Sequence, residues 1–208
     1  MRPPREAETH RLVAGDRCLD FANTLNGHNR ASGHEYLHNF KDLVLWSRHA
    51  GLLTAGEVYL AARQERIRPQ AAEAIFHRAI RLREVTFRIF RAVADGKRPQ
   101  ADDLRGLDGA WGEAQRHAHI IRSNKGFAVG WVDDAILELI PRRLSASAVD
   151  LLTSRRLTQV RACSGDGCDW LFVDSSRNHL RRWCSMDECG NRAKMRRREA
   201  RRRLAMAG

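Results

Sequence analysis

Residues 163–192 read CSGDGCDWLFVDSSRNHLRRWCSMDECGNR and contain four of the five cysteines of this 208-residue chain. The cysteines form two C-x4-C pairs, Cys163 with Cys168 and Cys184 with Cys189, and fifteen residues separate the pairs. Each pair closes a short loop around one edge of a tetrahedron, which is the spacing that a soft tetrahedral metal site requires. We therefore expect one structural Zn²⁺ ion, because four thiolate ligands leave no coordination position for water or a substrate.

Two disulfide bonds are the competing interpretation of these cysteines. The fifth cysteine, Cys18, makes the number odd, and the first residues, MRPPR, lack the apolar stretch of a secretory signal. No run approaches the roughly 18 apolar residues that a membrane span needs. We therefore expect a cytoplasmic protein without a membrane partner, in which the thiols stay reduced. In this setting Cys18 is expected to be a small buried hydrophobic residue rather than a nucleophile.

The residues around the four cysteines predict a treble-clef zinc finger. Residues 170–173 favour a strand, whereas Ser185 and Glu188 have the spacing of a capping box. That spacing predicts a helix that begins at Ser185 and carries Cys189 in its first turn. We take residues 155–208 as this module and expect the metal to supply much of its folding free energy. Chelation should then unfold the module and leave the preceding domain largely intact.

Positive charge is concentrated in the same module. The chain has a net charge of +12, and residues 155–208 contain 14 Lys and Arg against 6 Asp and Glu. At about 100° per residue, the basic helix expected after Cys189 has one narrow apolar seam, formed by Ala193, Ala200 and Leu204. This skew predicts a polyanionic partner at the C-terminal end, and the alternative is a solvated basic face without a partner. The candidate nucleic-acid contacts are Arg177, Asn178, Arg181, Arg182, Asn191, Arg192, Lys194, Arg196, Arg197, Arg198, Arg201 and Arg202.

Residues 1–154 favour a mostly helical domain. Apolar residues recur at three- and four-residue steps between residues 70 and 94, which is typical of an amphipathic helix. Thr54 and Glu57 predict a capping box at the start of an earlier helix. Residues 18–21 suit either a short strand or the start of a helix.

The end of this domain combines a hairpin with a further helix. Residues 120–131 predict a β-hairpin whose turn lies at residues 123–126. Pro141 is expected to kink or restart a helix over residues 133–152. The fold class is therefore α+β, with a mostly helical N-terminal domain, a small β-hairpin and a C-terminal treble-clef-like zinc finger.

The C-terminal motifs carry a family resemblance. Residues 168–174, 176–178, 181–186 and 189–192 closely resemble the CGNR zinc finger, a bacterial treble-clef module, and the resemblance implies DNA binding. Residues 18–24, CLDFANT, resemble the opening motif of the ABATE domain, which precedes CGNR fingers in proteins regarded as stress-induced transcription regulators.

The ABATE resemblance also implies that the N-terminal domain senses a ligand. Asp20, Asn23 and Thr24 match the opening motif and are candidates for contacts to a small molecule. The alternative is a structural one, in which the three polar side chains form a hydrogen-bonded cap that holds this segment to the first helix.

These observations favour a ligand- or stress-responsive transcription regulator that binds double-stranded DNA and is not an enzyme. One rival is an RNA-binding or ribosome-associated zinc protein, because arginine-rich helices also bind structured RNA. The other is an enzyme with a pocket lined by His28, His34 and Asp20, although the nine histidines form no H-E-x-x-H pattern. The ligand, the target sequence and the oligomeric state, including a homodimer, are left open.

Overall fold

Helices form most of the first 152 residues in a computed structural model that describes residues 6–28, 33–123, 126–131 and 133–207. Within these residues a short 3-10 helix, Asp133–Glu138, precedes the last helix of the N-terminal part. The α-helices of this part are α1 Glu6–Thr9, α2 Arg17–Ala22, α3 Phe40–His49, α4 Ala55–Ile67, α5 Pro69–Ala94, α6 Ala101–Arg116 and α7 Leu139–Leu152.

Local chemistry explains where these helices begin. The Asp16 carboxylate accepts a hydrogen bond from the Cys18 amide, so residues 18–21 continue as helix α2 rather than a strand. The predicted capping box of Thr54 and Glu57 is present at the start of α4. Pro141 is the third residue of α7, where a missing amide donor removes no helical hydrogen bond, and the change from the 3-10 helix Asp133–Glu138 to α7 just before it fits the predicted restart.

Each described sheet is a pair of antiparallel strands. The predicted hairpin is formed by β3, Ala118–Ser123, and β4, Gly126–Trp131, and the turn residues Asn124 and Lys125 lie outside the described residues. The other pairs are β1 Leu25–Asn26 with β2 His34–Glu35, and β5 Val160–Ala162 with β6 Leu171–Val173.

Helix α5 lies at the centre of the hydrophobic core. Its Ile89 and Phe90 are fully buried, and the helix packs against α2, α3, α4, α6 and α7. Phe21 of α2 and Trp46 of α3 meet in the same core, with ring centroids 5.2 Å apart. Each such side chain contributes about 1.5–3 kcal/mol through removal of its apolar surface from water.

The core continues into the C-terminal part of the chain. Leu171 and Phe172 are completely buried, and β6 packs against both α2 and α5. The Val173 amide donates a hydrogen bond to the Ala14 carbonyl at 2.7 Å. The predicted division at residues 154/155 falls between α7 and a 3-10 helix, Arg155–Gln159, and the apolar core extends across it.

The helix predicted to begin at Ser185 is present, but its first turn is a π-helix. Ser185 is the N-cap residue of this turn, Met186–Gly190, which contains Cys189, has no side-chain cap and runs directly into α8, Asn191–Ala207. The capping box predicted for Ser185 and Glu188 is wrong, because both side chains bind Arg11: its Nη2 lies 3.2 Å from Ser185 Oγ and its Nη1 lies 2.7 Å from Glu188 Oε1. Among the described residues, no helix has the length and apolar character needed to cross a membrane.

Candidate zinc centre and nucleic-acid interface

The four predicted metal ligands meet at one point. Cys163 and Cys168 lie in the loop between β5 and β6, Cys184 lies just before the π-helical turn, and Cys189 lies within that turn. Their four sulfur atoms lie within 4.8 Å of one another, with 3.8 Å between Cys168 and Cys184 and 3.6 Å between Cys184 and Cys189. A tetrahedral zinc site with Zn–S distances of about 2.3 Å places its sulfurs about 3.8 Å apart. The sulfur positions therefore fit one zinc ion.

Donors from the surrounding chain point at the sulfurs. The amides of Gly165 and Cys184 each lie 3.3 Å from Cys163 Sγ, and Arg192 Nη2 lies 3.1 Å from Cys189 Sγ. Such hydrogen bonds stabilise thiolate charge and orient the metal ligands. Gly165 is also a steric requirement, because a Cβ at this position would lie 2.9 Å from Cys189 Sγ.

The cluster requires a cation to hold four thiolates. Hydrogen bonds from the Cys168 and Cys184 thiols lower the pKa of Cys163, and those same bonds raise the pKa values of Cys168 and Cys184. One thiolate is thus favoured at the expense of its neighbours when no cation is bound. Zn²⁺ removes this conflict because it stabilises all four thiolates together. The four cysteines hold one structural zinc ion.

The segment between the cysteine pairs forms an ordered, exposed loop. Buried Asp174 closes it, since its carboxylate accepts hydrogen bonds from the amides of Ser176 and Arg181 at 3.0 and 2.9 Å. These bonds lower the pKa of Asp174 against the opposing effect of burial. Arg177 and Asn178, two of the predicted contacts, are exposed at the tip of this loop.

Helix α8 presents most of the predicted cations to solvent. Its contacts with the finger come from its first turns, where Arg192 binds Cys189, Arg196 pairs with Asp166 at 2.5 Å, and Arg197 lies over the Trp183 ring. The predicted contacts on α8 are all exposed: Asn191, Arg192, Lys194, Arg196, Arg197, Arg198, Arg201 and Arg202.

The predicted apolar seam of this helix is covered only at its start. Ala193 is half-buried, whereas Ala200 is exposed, and the side chain of Leu204 lies outside the described part of the chain. The helix therefore projects from the finger beyond its first turns and does not rest on it along its length.

Two of the predicted contacts have other surroundings. Arg181 is half-buried, and its guanidinium lies 4.3 Å from the Phe172 ring and donates to the carbonyls of Trp183, Val13 and Cys184. It fastens the second cysteine pair to the helical part of the chain. Arg182 is exposed and, like Arg197, lies over the Trp183 ring, with 5.6 Å between its guanidinium carbon and the ring centroid.

The three candidate ligand contacts of the N-terminal motif are buried. Asp20 accepts a hydrogen bond from the Ala14 amide at 2.9 Å, and burial raises its pKa to about 7. Thr24 donates to the Phe21 carbonyl, and Asn23 bonds to the main chain of β6. This geometry favours the structural alternative, in which the motif holds the chain together.

The residues of the hypothetical enzyme pocket have separate partners among the described residues. His28 stacks on Phe87 with ring centroids 3.6 Å apart and lies 3.0 Å from the Glu84 carboxylate. His34 is exposed and pairs with Glu6 at 3.1 Å.

Sequence reasoning missed two supports of the finger. Arg11 binds Ser185 and Glu188, and the Trp183 ring is in contact with the guanidinium groups of both Arg182 and Arg197. Arg11 is 174 residues from Ser185, so no local pattern announces the contact. The tryptophan next to Cys184 was a visible signal, because an aromatic ring among arginines favours cation–π stacking.

Comparison with known families agrees with this geometry. Residues 15–155 match the family model of ABATE, described as "Putative stress-induced transcription regulator", and residues 159–202 match that of the CGNR zinc finger. No curated protein gives a significant match to the chain. The two resemblances expected from the cysteine-rich motifs and from residues 18–24 are confirmed. The chain therefore belongs to the ABATE family and ends in a CGNR zinc finger.

Proposed function

We propose that this protein is a transcription regulator that binds double-stranded DNA through its zinc finger and helix α8. The observation that carries the proposal is an exposed arginine-rich helix fixed at its N-terminal end to a zinc-ordered cluster. The family description points to transcription regulation, and DNA is the polyanion that such a protein must find. We propose a binding role rather than a catalytic one, since the four thiolates leave zinc no open position for a substrate.

One face of α8 is free to meet phosphates. At about 100° per residue, Lys194, Arg198, Arg201 and Arg202 lie within an arc of about 100°, on the side opposite Arg196. Arg196 contacts Asp166 of the finger, whereas Arg198, Arg201 and Arg202 form no hydrogen bond or ion pair with the described residues. The finger therefore holds one side of the helix and leaves the cationic side to a partner.

The charge pattern of α8 also favours a bound polyanion. Lys194 and Arg198, Arg197 and Arg201, and Arg198 and Arg202 are like-charge pairs at i,i+4. Each such pair destabilises an isolated helix by about 0.2–0.5 kcal/mol. Phosphates along the helix would remove this repulsion, and release of their counterions would drive binding.

Salt-dependent binding tests the proposal. The triple variant Arg198→Gln, Arg201→Gln and Arg202→Gln should bind a labelled DNA duplex more weakly than the parent protein, both loaded with zinc. Affinity is measured by fluorescence anisotropy at several salt concentrations between about 50 and 200 mM. If all three contact phosphates, the slope of log K against log salt should flatten by about 2.7. The matched control carries Arg→Gln at Arg63, Arg66 and Arg68, which are exposed on or next to α4 and form no described ion pair.

Two outcomes decide between the alternatives. Equal salt slopes for the two triple variants would show that α8 does not contact the DNA phosphates. Unchanged DNA affinity in a zinc-free sample would contradict the role of the finger. Stronger competition by a hairpin RNA than by a DNA duplex of equal length, at the same salt, would favour the RNA-binding alternative.

A further inference from the structure

A cavity of about 450 Å³ lies between α5, α6 and α7, away from the zinc finger. Its volume falls in the range of small-molecule sites, about 300–1,000 Å³. Apolar side chains form much of its wall, among them Leu82, Val85, Ala110 and Pro141. Asp20, Asn23 and Thr24, the residues that the N-terminal motif suggested for ligand binding, do not line it.

One buried arginine in the lining of the cavity forms no ion pair with the described residues. Arg142 of α7 is 5% exposed, and its Nε and Nη1 atoms have neither solvent contact nor a hydrogen-bond partner among the described residues. An arginine stays protonated in proteins, and an unpaired buried charge is costly because it has lost its hydration. A small shift of the Arg142 side chain would bring these atoms into contact with an anion in the cavity, and that contact would offset the lost hydration.

The other charges of the cavity leave it electropositive. Glu138 is paired with Arg78, and Glu113 is paired with Arg116 and His117, so neither carboxylate forms an ion pair with Arg142 in the described structure. Arg78 and Arg105 are themselves paired, with Glu138 and Asp102, and Arg81 adds a positive charge to the lining that no described carboxylate pairs with.

The pKa of Arg78 is affected by the same positive charges around the cavity. Burial lowers it, and the charges of Arg142 and Arg81 lower it further, against the opposing effect of Glu113. Exposed arginines around an apolar cavity attract an anion before the buried one binds it.

Glycines on α6 keep the cavity open. A Cβ at Gly109 would meet no atom within 4 Å, whereas one at Gly106 would lie 3.4 Å from Val85 Cγ2. Glycine is less favourable than alanine inside a helix. Side chains at these positions would occupy the space that the glycines leave.

We propose that this cavity binds a small organic carboxylate with an apolar body, whose carboxylate pairs with Arg142. The planar guanidinium fork matches a carboxylate in two parallel hydrogen bonds. The apolar wall formed by Leu82, Val85 and Ala110 excludes a strongly hydrated ion such as free phosphate and accepts a hydrocarbon chain or ring. The assignment does not depend on DNA binding by the finger.

Thermal unfolding of the full-length zinc-loaded protein tests the site with three eight-carbon probes. Octanoate, well above its dissociation constant, should raise the midpoint by about 5 °C. Octanamide and octylamine have the same chain without the negative charge and should change it by less than about 1 °C. Arg142→Met should abolish the response to octanoate. It should also leave the midpoint of the probe-free protein unchanged or raise it, because it removes an unpaired buried charge.

Two further variants separate binding from folding. Gly109→Leu fills the cavity while it retains Arg142, and it improves helix propensity, so it should fold and lose the octanoate response. Arg63→Met, on the exposed surface of α4, is the matched control and should respond like the parent protein. A response of Gly109→Leu equal to that of the parent would overturn the assignment. An equal response of the parent to octanamide, or an intact octanoate response in Arg142→Met, would do the same.

Discussion

Asn23 joins two segments of the chain that are 148 residues apart. Its amide nitrogen donates to the Leu171 carbonyl at 2.9 Å, and its amide oxygen accepts from the Leu171 amide at 2.8 Å. The side chain is 1% exposed. It thus supplies β6 with the two hydrogen bonds that a neighbouring strand would provide, at the edge where β6 meets α2.

Replacement of Asn23 by alanine should destabilise the whole protein. The substitution leaves the buried amide and carbonyl of Leu171 unpaired, at about 1–3 kcal/mol each. We expect a loss of about 2–5 kcal/mol in the free energy of unfolding, measured by urea denaturation. Asn178→Ala, in the exposed loop, is the matched control and should change it by less than about 0.5 kcal/mol. A similarly small effect for Asn23→Ala would show that the two bonds contribute little.

The role of Asn23 could not be predicted from its residue type. Asn23 and Thr24 are polar residues in a motif next to apolar ones, and that pattern fits a ligand contact and a structural hydrogen bond equally well. Only the position of Leu171 in the fold distinguishes the two roles, and a residue so far along the chain cannot be identified as the partner from the sequence.

Two capping-box patterns in the sequence show how far a local pattern predicts the start of a helix. Thr54 and Glu57 form the box that their spacing predicts, although the Glu57 carboxylate also pairs with the distant Arg143. Ser185 and Glu188 have the same spacing, yet both bind Arg11 and form no box, and the helix after Ser185 begins with a π-helical turn. The spacing therefore locates both helix starts, whereas the geometry of the distant partners, which the local sequence does not show, decides whether the side chains close the box.

The zinc cluster was the most predictable part of the molecule. Cysteine spacing alone identified all four ligands, since the metal requires a short loop on each side regardless of the rest of the fold. The arginines were harder: their exposure follows from composition, but Arg181 binds the main chain because Phe172 and Val13 happen to lie beside it.

The first cysteine loop should not tolerate a side chain at Gly165. A Cβ there would lie 2.9 Å from Cys189 Sγ and 3.3 Å from Cys163 Sγ, so Gly165→Ala must displace a ligand. We expect zinc affinity to fall by at least about tenfold, measured by competition with a chromophoric chelator. Gly112→Ala, on α6 where a Cβ meets nothing within 4 Å, is the control and should bind zinc normally. Unchanged affinity in Gly165→Ala would mean that the loop relaxes without moving the sulfurs.

At the scale of the whole molecule, removal of zinc should reach beyond the finger. The sequence suggests that chelation leaves the helical domain intact, but Leu171 and Phe172 are buried against α2 and α5. When the cysteine cluster opens, β6 loses its anchor and the core beneath it loosens. Hydrogen exchange followed by mass spectrometry should show faster exchange in peptides from α2 and α5 as well as in the finger. Faster exchange restricted to residues 160–207 would instead indicate two independent folding units.

The shared core limits how this protein can be rearranged. The matches to the two families end and begin at residues 155 and 159, where a recombination event would separate the N-terminal domain from the finger. Such an event would deprive β6 of its contacts with Ala14 and Asn23, and Ser185 and Glu188 of their contact with Arg11, unless the new host offers equivalent groups. A finger transferred from this chain to another N-terminal domain should therefore fold in its native form only if those contacts are transferred with it.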